Sequence, residues 1–243
     1  MENSIFQVEK KLQNYVNVKF SQIPELTDTI SEQLRRQDNH KGFDKGLLGK
    51  LVEKLAGLEH SAKLTDCIDG ELKIIPFLFK DGIAKPKETC AVLQFGSKYI
   101  DTFLSDTHCF YDSKFYKKLK QVCYVIIDET SENPADWSIV SLGIISENYE
   151  DCADFYKKLN NGYNEYKNKQ IELVKSGNQL SSTGMNCDYF EIRPKDTSPY
   201  HPVYSSLYNF VVADKGRGMF LKKDALCDIY KILSSRKTEK RGE

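Results

Sequence analysis

The chain has no C-x-x-C pair, no H-x-x-x-H pattern, no apolar run of membrane-spanning length and no net charge. Its seven cysteines are scattered at 67, 90, 109, 123, 152, 187 and 227, and the only close Cys/His grouping is the adjacent pair His108-Cys109. That spacing disfavours both a zinc site and a disulfide scaffold, and with no secretory pattern at the N-terminus a reduced, cytoplasmic setting is expected. The apolar stretches fall well short of the roughly 20 residues of a transmembrane helix, so no membrane partner is expected. None of the four histidines, His40, His60, His108 and His201, lies in a catalytic or metal-binding spacing. Thirty-five basic residues balance 35 acidic ones, which removes any global field toward nucleic acid. The charge is unevenly placed, however. Asp128 to Asp154 contains no Lys or Arg, whereas Lys215 to Arg241 carries nine basic residues against three acids, enough to make one electropositive face on a neutral molecule.

The 243 residues read as a single domain with alternating helical and extended segments. Residues 1 to about 35 have helical spacing of Ile5, Val8, Leu12, Tyr15 and Val16, with a break at Pro24. "LLGKLVEKLAGLEH" is an amphipathic helix on Leu47, Leu48, Leu51, Val52, Leu55 and Leu58, with Lys45, Gly49 and Glu53 stacked four residues apart on one flank. A hairpin is expected next: a strand to Ile68, a turn at Asp69-Gly70 and a second strand through "ELKIIPFLF". Further strands are predicted at "CAVLQF", "VCYVIID", "SIVSLGII", "YFEIRP" and "GMFLKK". The stretch from Glu150 to Ser176 reads as a helix broken near Asn160 to Gly162, and the C-terminus as a helix running into a basic tail.

In that hairpin Asp66 would pair with Lys73, and Asp66, Glu71 and Lys73 would project to one side. Two nearby carboxylates repel unless a cation sits between them. Mg²⁺ suits such a place, because it takes a few carboxylates and completes its shell with water and phosphate oxygens. A lysine beside it can stabilise the charge of a phosphodiester transition state or help position and deprotonate the attacking water, which is the D…(D/E)-x-K logic of metal-dependent nucleases. Glu53 adds a third carboxylate if its helix packs behind the hairpin. The bland alternative is a surface ion pair between Asp66 and Lys73, worth under roughly 1 kcal/mol.

The run "KGLLGKLVEKLAG…TDCIDGELKIIPF…KPKETC" resembles the MutH family of DNA endonucleases, of the PD-(D/E)xK superfamily. Lys45, Gly46, Gly49 and Glu53, then Asp66, Glu71, Leu72, Lys73 and Pro76, then Glu88 and Thr89 follow the order of that family's catalytic lobe. "YFEIRPK" and "GRGMFLKK" are similar to the family's DNA-gripping segments, and "KKLKQVCYVII" to one with a further lysine near the cleavage site, matched by Lys118 or Lys120. Asp66 lies about two residues closer to Glu71 than in the family pattern, leaving Asp69 as its rival for the first acid. Phe220 stands where the mismatch-repair enzyme has a tyrosine near the methylatable adenine; the bland reading of Phe220 is a core residue.

The resemblance implies a restriction-endonuclease-like α/β fold, a mixed central β-sheet flanked by helices, with two lobes forming a DNA cleft. The single endonuclease domain, 1–243, would comprise a catalytic lobe at about 1–115 and a DNA-recognition lobe at about 116–243. It implies a Mg²⁺-dependent endonuclease for double-stranded DNA, with Mn²⁺ substituting, of the type II restriction class. Asp66, Glu71 and the Leu72 carbonyl would hold the metal, with Lys73, Glu53 and Lys118 in catalysis. Lys45, Arg193, Lys195, Arg217, Phe220, Lys222 and Lys223 would contact DNA. A homodimer on a symmetric site is expected, with a cognate methyltransferase in the same system but no stable complex with it. The alternatives are a mismatch-repair nicking enzyme and a catalytically silent DNA-binding subunit.

Overall fold

A computed structural model describes residues 3–38, 46–58, 64–182, 187–196 and 198–239. In chain order the elements are α1 (Ile5–Gln13), α2 (Thr27–Asp38), α3 (Leu47–Ala56), β1 (Glu71–Lys80), β2 (Ile83–Pro86), β3 (Cys90–Phe95), α4 (Ser97–Leu104) and α5 (Lys114–Leu119). They continue with β4 (Gln121–Asp128), β5 (Ser138–Ser146), α6 (Ala153–Lys175), β6 (Phe190–Pro194), β7 (Val203–Ser205), β8 (Phe210–Ala213), β9 (Arg217–Leu221) and α7 (Lys223–Glu239). The protein is mixed α/β. Among the described residues no helix is long and apolar enough to cross a membrane.

Two compact units interleave along the chain, where contiguous lobes at 1–115 and 116–243 were expected. The first comprises 1–88, 121–146 and 229–243; the second comprises 89–120 and 147–228. The first unit is built on a four-stranded sheet in the order β2-β1-β4-β5, with β1 parallel to β4 and the other pairs antiparallel. β4 shows why its sequence does not alternate: Val122 to Ile127 are all buried, as befits a central strand covered on both faces. Helices α1 and α3, and the end of α7, flank this sheet. α1 begins at Ser4, whose hydroxyl caps it reciprocally with Gln7, and it buries Ile5, Val8 and Leu12.

The expected long N-terminal helix is shorter. α1 stops at Gln13, the chain turns through Asn17 at φ 63°, and Val16 and Lys19 bridge to Ile139 and Ser138 before α2 begins. The expected hairpin at Asp69-Gly70 is not formed either, since residues 64–69 are bends and β1 takes its antiparallel partner from the other end. There Lys80 pairs with Ile83 across Asp81-Gly82, with φ of 52° and 74°, the two positive values a type I′ turn requires. Gly70 serves another need: a Cβ there would lie 2.9 Å from the Gln121 carbonyl and 3.1 Å from Ile5 Cβ. Its place is set by close packing against α1 and β4.

The second unit holds the antiparallel sheet β3-β9-β6 and the small β7-β8 ribbon. One face of the larger sheet buries Phe190, Ile192, Met219 and Leu221. Rings of Phe95, Phe103, Phe110, Phe115 and Tyr163 pack edge-on and tilted with Phe190 into one aromatic cluster. The break expected in α6 near Gly162 is absent, and the helix is continuous. A Cβ at Gly162 would stand in ordinary contact with the Phe190 ring, at 3.5 Å, and the glycine sits within the helix without stopping it.

Candidate active site

β2 pairs with β1 only from Phe77 onward, so among the described residues Glu71 to Pro76 have β4 on one side and no strand on the other. Pro76, which has no N–H to give, fits this half-paired stretch. The start of β1 therefore carries backbone groups that need partners of another kind. Asp66 supplies one: the Leu72 N–H donates to its Oδ2 at 3.0 Å. A carboxylate thus takes the place of a neighbouring strand, and Asp66 itself remains exposed.

Glu71 and Lys73 are two residues apart on β1 and share a face, as the strand period requires. Lys73 Nζ donates to Glu71 Oε1 at 2.7 Å; the Glu71 side chain is 2% exposed and that of Lys73 18%. A carboxylate so deeply buried is costly unless a cation or strong donors hold it, and Lys73 supplies such a charge. Asp66 does not pair with Lys73 across a hairpin, because residues 64–69 form no strand. It reaches the same region from the loop.

Asp69, the rival first acid, is committed elsewhere. Its Oδ2 accepts from Ser4 Oγ at 2.6 Å, its Oδ1 from the Ile5 N–H at 2.7 Å, and its carbonyl from Gln121 Nε2 at 2.9 Å. Between the acids sits Cys67, buried, which the sequence reading did not single out. Burial pushes its thiol up to about 12, helped by the negative charges of Asp66, Asp69 and Glu71. Burial is the larger cause, and the three acids add to it. The signal was present in "DCID", a cysteine flanked by acids, but nothing local shows that it turns inward.

Glu53 is half-buried on α3, which packs against β1, and its carboxylate lies over Gly49 one turn back, 3.9 Å from where a Cβ would stand. Among the described residues no group of three or more His, Cys, Asp or Glu side chains is arranged to hold a metal ion. The carboxylates of Asp66 and Glu71 and the adjoining Leu72 carbonyl are oxygen donors of the kind that could hold Mg²⁺, which completes its shell with water and phosphate oxygens. Lys45 lies outside the described residues. Glu88 is exposed and Thr89 half-buried. Lys118 is half-buried near the end of α5, in the second unit.

Apart from Lys45, the residues assigned to DNA contact are carried by the second unit. In the register of β6 and β9, Glu191 faces Phe220 and Arg193 faces Gly218, and the Lys195 N–H donates to the Gly216 carbonyl at 2.9 Å. Arg193 and Lys195 therefore share the face of Phe220. The guanidinium carbon and the ammonium stand 6.0 and 5.9 Å from its ring centroid. Gly218 makes room for this, since a Cβ there would meet Phe220 at 3.0 Å and Lys195 at 3.1 Å. Arg193 Nε also lies 2.7 Å from Glu191 Oε1. Phe220 is half-buried on the open face of the sheet, outside the core that Met219 and Leu221 enter from the other side.

The remaining basic residues do not join that face. Arg217 has the parity of Met219 and Leu221 and points to the opposite side, half-buried. Lys222 Nζ donates to the Cys187 carbonyl at 2.6 Å, which ties the segment before β6 to the start of α7. Lys223 is the exposed first residue of α7. The structure thus separates six expected contacts into a cation–aromatic trio, a structural tie, an opposite-face arginine and an exposed lysine. No protein-family model and no curated protein sequence matches the chain.

Proposed function

We propose that this protein is a Mg²⁺-dependent, sequence-specific endonuclease for double-stranded DNA, of the type II restriction class, with a restriction-endonuclease-like fold. The observation that carries the reading is the buried Glu71–Lys73 pair at the half-paired start of β1, with the Asp66 carboxylate fastened to the next residue's N–H. A purely structural ion pair has little need of a second carboxylate held over the same strand end. The MutH-like order of residues around it, in both the β1 segment and the β6 and β9 segments, supports the same reading.

Asp66, Glu71 and the Leu72 carbonyl would hold the Mg²⁺, which supplies Lewis-acid polarisation of the phosphate and a more acidic water. Lys73 orients Glu71 and presents its ammonium to the non-bridging oxygen where charge grows during in-line attack. Glu53 adds negative charge from α3 behind β1. Arg193 and Lys195, on the face of Phe220, serve as the grip: lysine meets phosphate as a point charge, whereas arginine can fork onto a guanine edge. A homodimer on a two-fold symmetric site follows from this class of reaction.

The test is digestion of a sequenced viral DNA with Mg²⁺ or with EDTA, followed by sequencing of the ends. Discrete cuts at one short motif are expected, absent with EDTA and lowered about a thousandfold or more in Glu71→Ala and Lys73→Ala, the scale of losing charge stabilisation at a transition state. Cutting by both variants at the parent rate would sink the assignment. Binding without cleavage by the parent, in Mg²⁺ or Mn²⁺, would point to a silent DNA-binding subunit, and nicks confined to one unmethylated strand to a repair enzyme.

A further inference from the structure

The loop before β1 and the end of α3 are both fastened to α1. At its N-terminus, Ser4 Oγ and the Ile5 N–H donate to the two oxygens of Asp69 at 2.6 and 2.7 Å, and the Ile68 N–H donates to the Asn3 carbonyl at 3.3 Å. Ile5 also packs on Gly70 so closely that no side chain would fit there. A carboxylate at a helix N-terminus gains from the helix dipole as well as from the hydrogen bonds. On the other side, Asn3 Nδ2 donates to the Gly57 carbonyl at 3.1 Å and Lys11 Nζ to the Ala56 carbonyl at 3.2 Å, both at the C-terminal end of α3, where cations are favoured. One short helix therefore holds the loop that carries Asp66 and the helix that carries Glu53.

We infer that α1 is the positioning element of the acidic site and that Asp69 is its anchor, a positioning residue rather than a metal ligand. This rests on the nuclease reading for its catalytic consequence, but not for the tether itself. Asp69 spends both oxygens on α1; Asp66, which has one on the Leu72 N–H, is the loop acid that stays exposed to solvent. The spacing between loop and α3 is then set by α1, so loosening α1 should weaken metal binding without removing a ligand.

Ser4→Ala is the decisive variant, because it removes one of the two hydrogen bonds to Asp69, and with it the cap of α1, while leaving every carboxylate in place. Buried Cys67 lies in the tethered loop, so its alkylation, followed by peptide mass spectrometry with exposed Cys109 as internal control, reports loop opening without reference to cleavage. Losing a charge-assisted hydrogen bond should make opening and Cys67 alkylation roughly tenfold faster. Asp69→Ala should do the same and raise the Mn²⁺ concentration for half-maximal binding several-fold while saturable binding persists. Unchanged Cys67 alkylation in both variants would overturn the tether. Complete loss of Mn²⁺ binding in Asp69→Ala, with Ser4→Ala binding like the parent, would make Asp69 a ligand and overturn its role as anchor. A parent that binds no Mn²⁺ would overturn the nuclease reading and the metal half of the inference, whereas the alkylation comparison decides the tether alone.

Discussion

The dipeptide Asp-Gly occurs at 69–70 and again at 81–82, before and after the same strand, and the two copies do different things. Asp81-Gly82 is a hairpin turn: both residues have positive φ, and nothing lies within 4 Å of a Cβ on Gly82. Asp69-Gly70 is a packing node. Its carboxylate holds the start of α1, and its glycine is squeezed between Ile5 and the Gln121 carbonyl. Turn chemistry prevails where the chain is exposed and unopposed. Where a helix N-terminus offers unsatisfied N–H groups a few ångströms away, the same aspartate is drawn to them instead.

The largest effect expected of this difference is on stability. Gly70→Ala forces a methyl group against a backbone oxygen at 2.9 Å and a helix Cβ at 3.1 Å, neither of which can swing aside. Overpacking of this kind costs about 1–3 kcal/mol. Gly82→Ala meets no atoms and pays only for left-handed backbone at φ 74°, roughly 1–2 kcal/mol, which Gly82→Asn should largely recover. Urea unfolding of the three variants checks this. Recovery of Gly70→Ala by Gly70→Asn, or no recovery of Gly82→Ala by Gly82→Asn, would erase the distinction between node and turn.

The aspartates test the same contrast through their side chains. Asp69→Ala removes the acceptor of two short hydrogen bonds, including one from a helix N-terminal N–H, a loss of about 1.5–3 kcal/mol. Asp81→Ala changes an exposed turn residue at φ 52° and should cost under about 1 kcal/mol. Amide exchange sharpens the contrast. Asp69→Ala should release protection in residues 5–8 and 67–72, and Asp81→Ala only around 79–84.

Much of the fold was legible in the sequence, and the failures have physical causes. β3, β4, β5 and β9 fall within two residues of the runs "CAVLQF", "VCYVIID", "SIVSLGII" and "GMFLKK", because a buried strand must be apolar whatever surrounds it. The hairpin at Asp69-Gly70 was expected because local turn preference is blind to α1, which competes for the same aspartate. β2, with four residues, and β7, with three, are too short for a period to show. At the candidate site, Glu71 and Lys73 were placed on one face by the strand period alone, and they meet there. Asp66 was expected to face them as a strand residue, whereas it lies in a loop and accepts from the Leu72 N–H at the strand's open edge. No local pattern announces that use. Arg217 and Phe220 were grouped because both lie in "GRGMFLKK", although an odd spacing in a strand places them on opposite faces.

The smallest predicted effect appears only in alkaline solution and again separates the two Asp-Gly sites. Cys67 lies two residues before Asp69, buried, and its thiol is pushed up to about 12 by burial first and then by Asp66, Asp69 and Glu71. An unfolded cysteine titrates near about 8.5, so the folded state holds this proton more tightly than the unfolded state does. The stability this represents is fully present below the unfolded value and is lost as the pH rises from there toward about 12. Thermal unfolding between pH 8 and 11 should therefore fall less steeply in Cys67→Ala than in the parent, after the constant offset of the lost thiol is subtracted. Cys123, also raised chiefly by burial, contributes its own alkaline slope to both proteins, so the comparison rests on the difference between them. Asp69→Asn should flatten the slope in part, because one of the charges acting on the thiol is gone, whereas Asp81→Asn should leave it unchanged. Identical slopes in parent and Cys67→Ala would mean that neither burial nor the acids hold the thiol protonated, and a slope in Asp69→Asn equal to the parent's would mean that the Asp69 charge does not act on it.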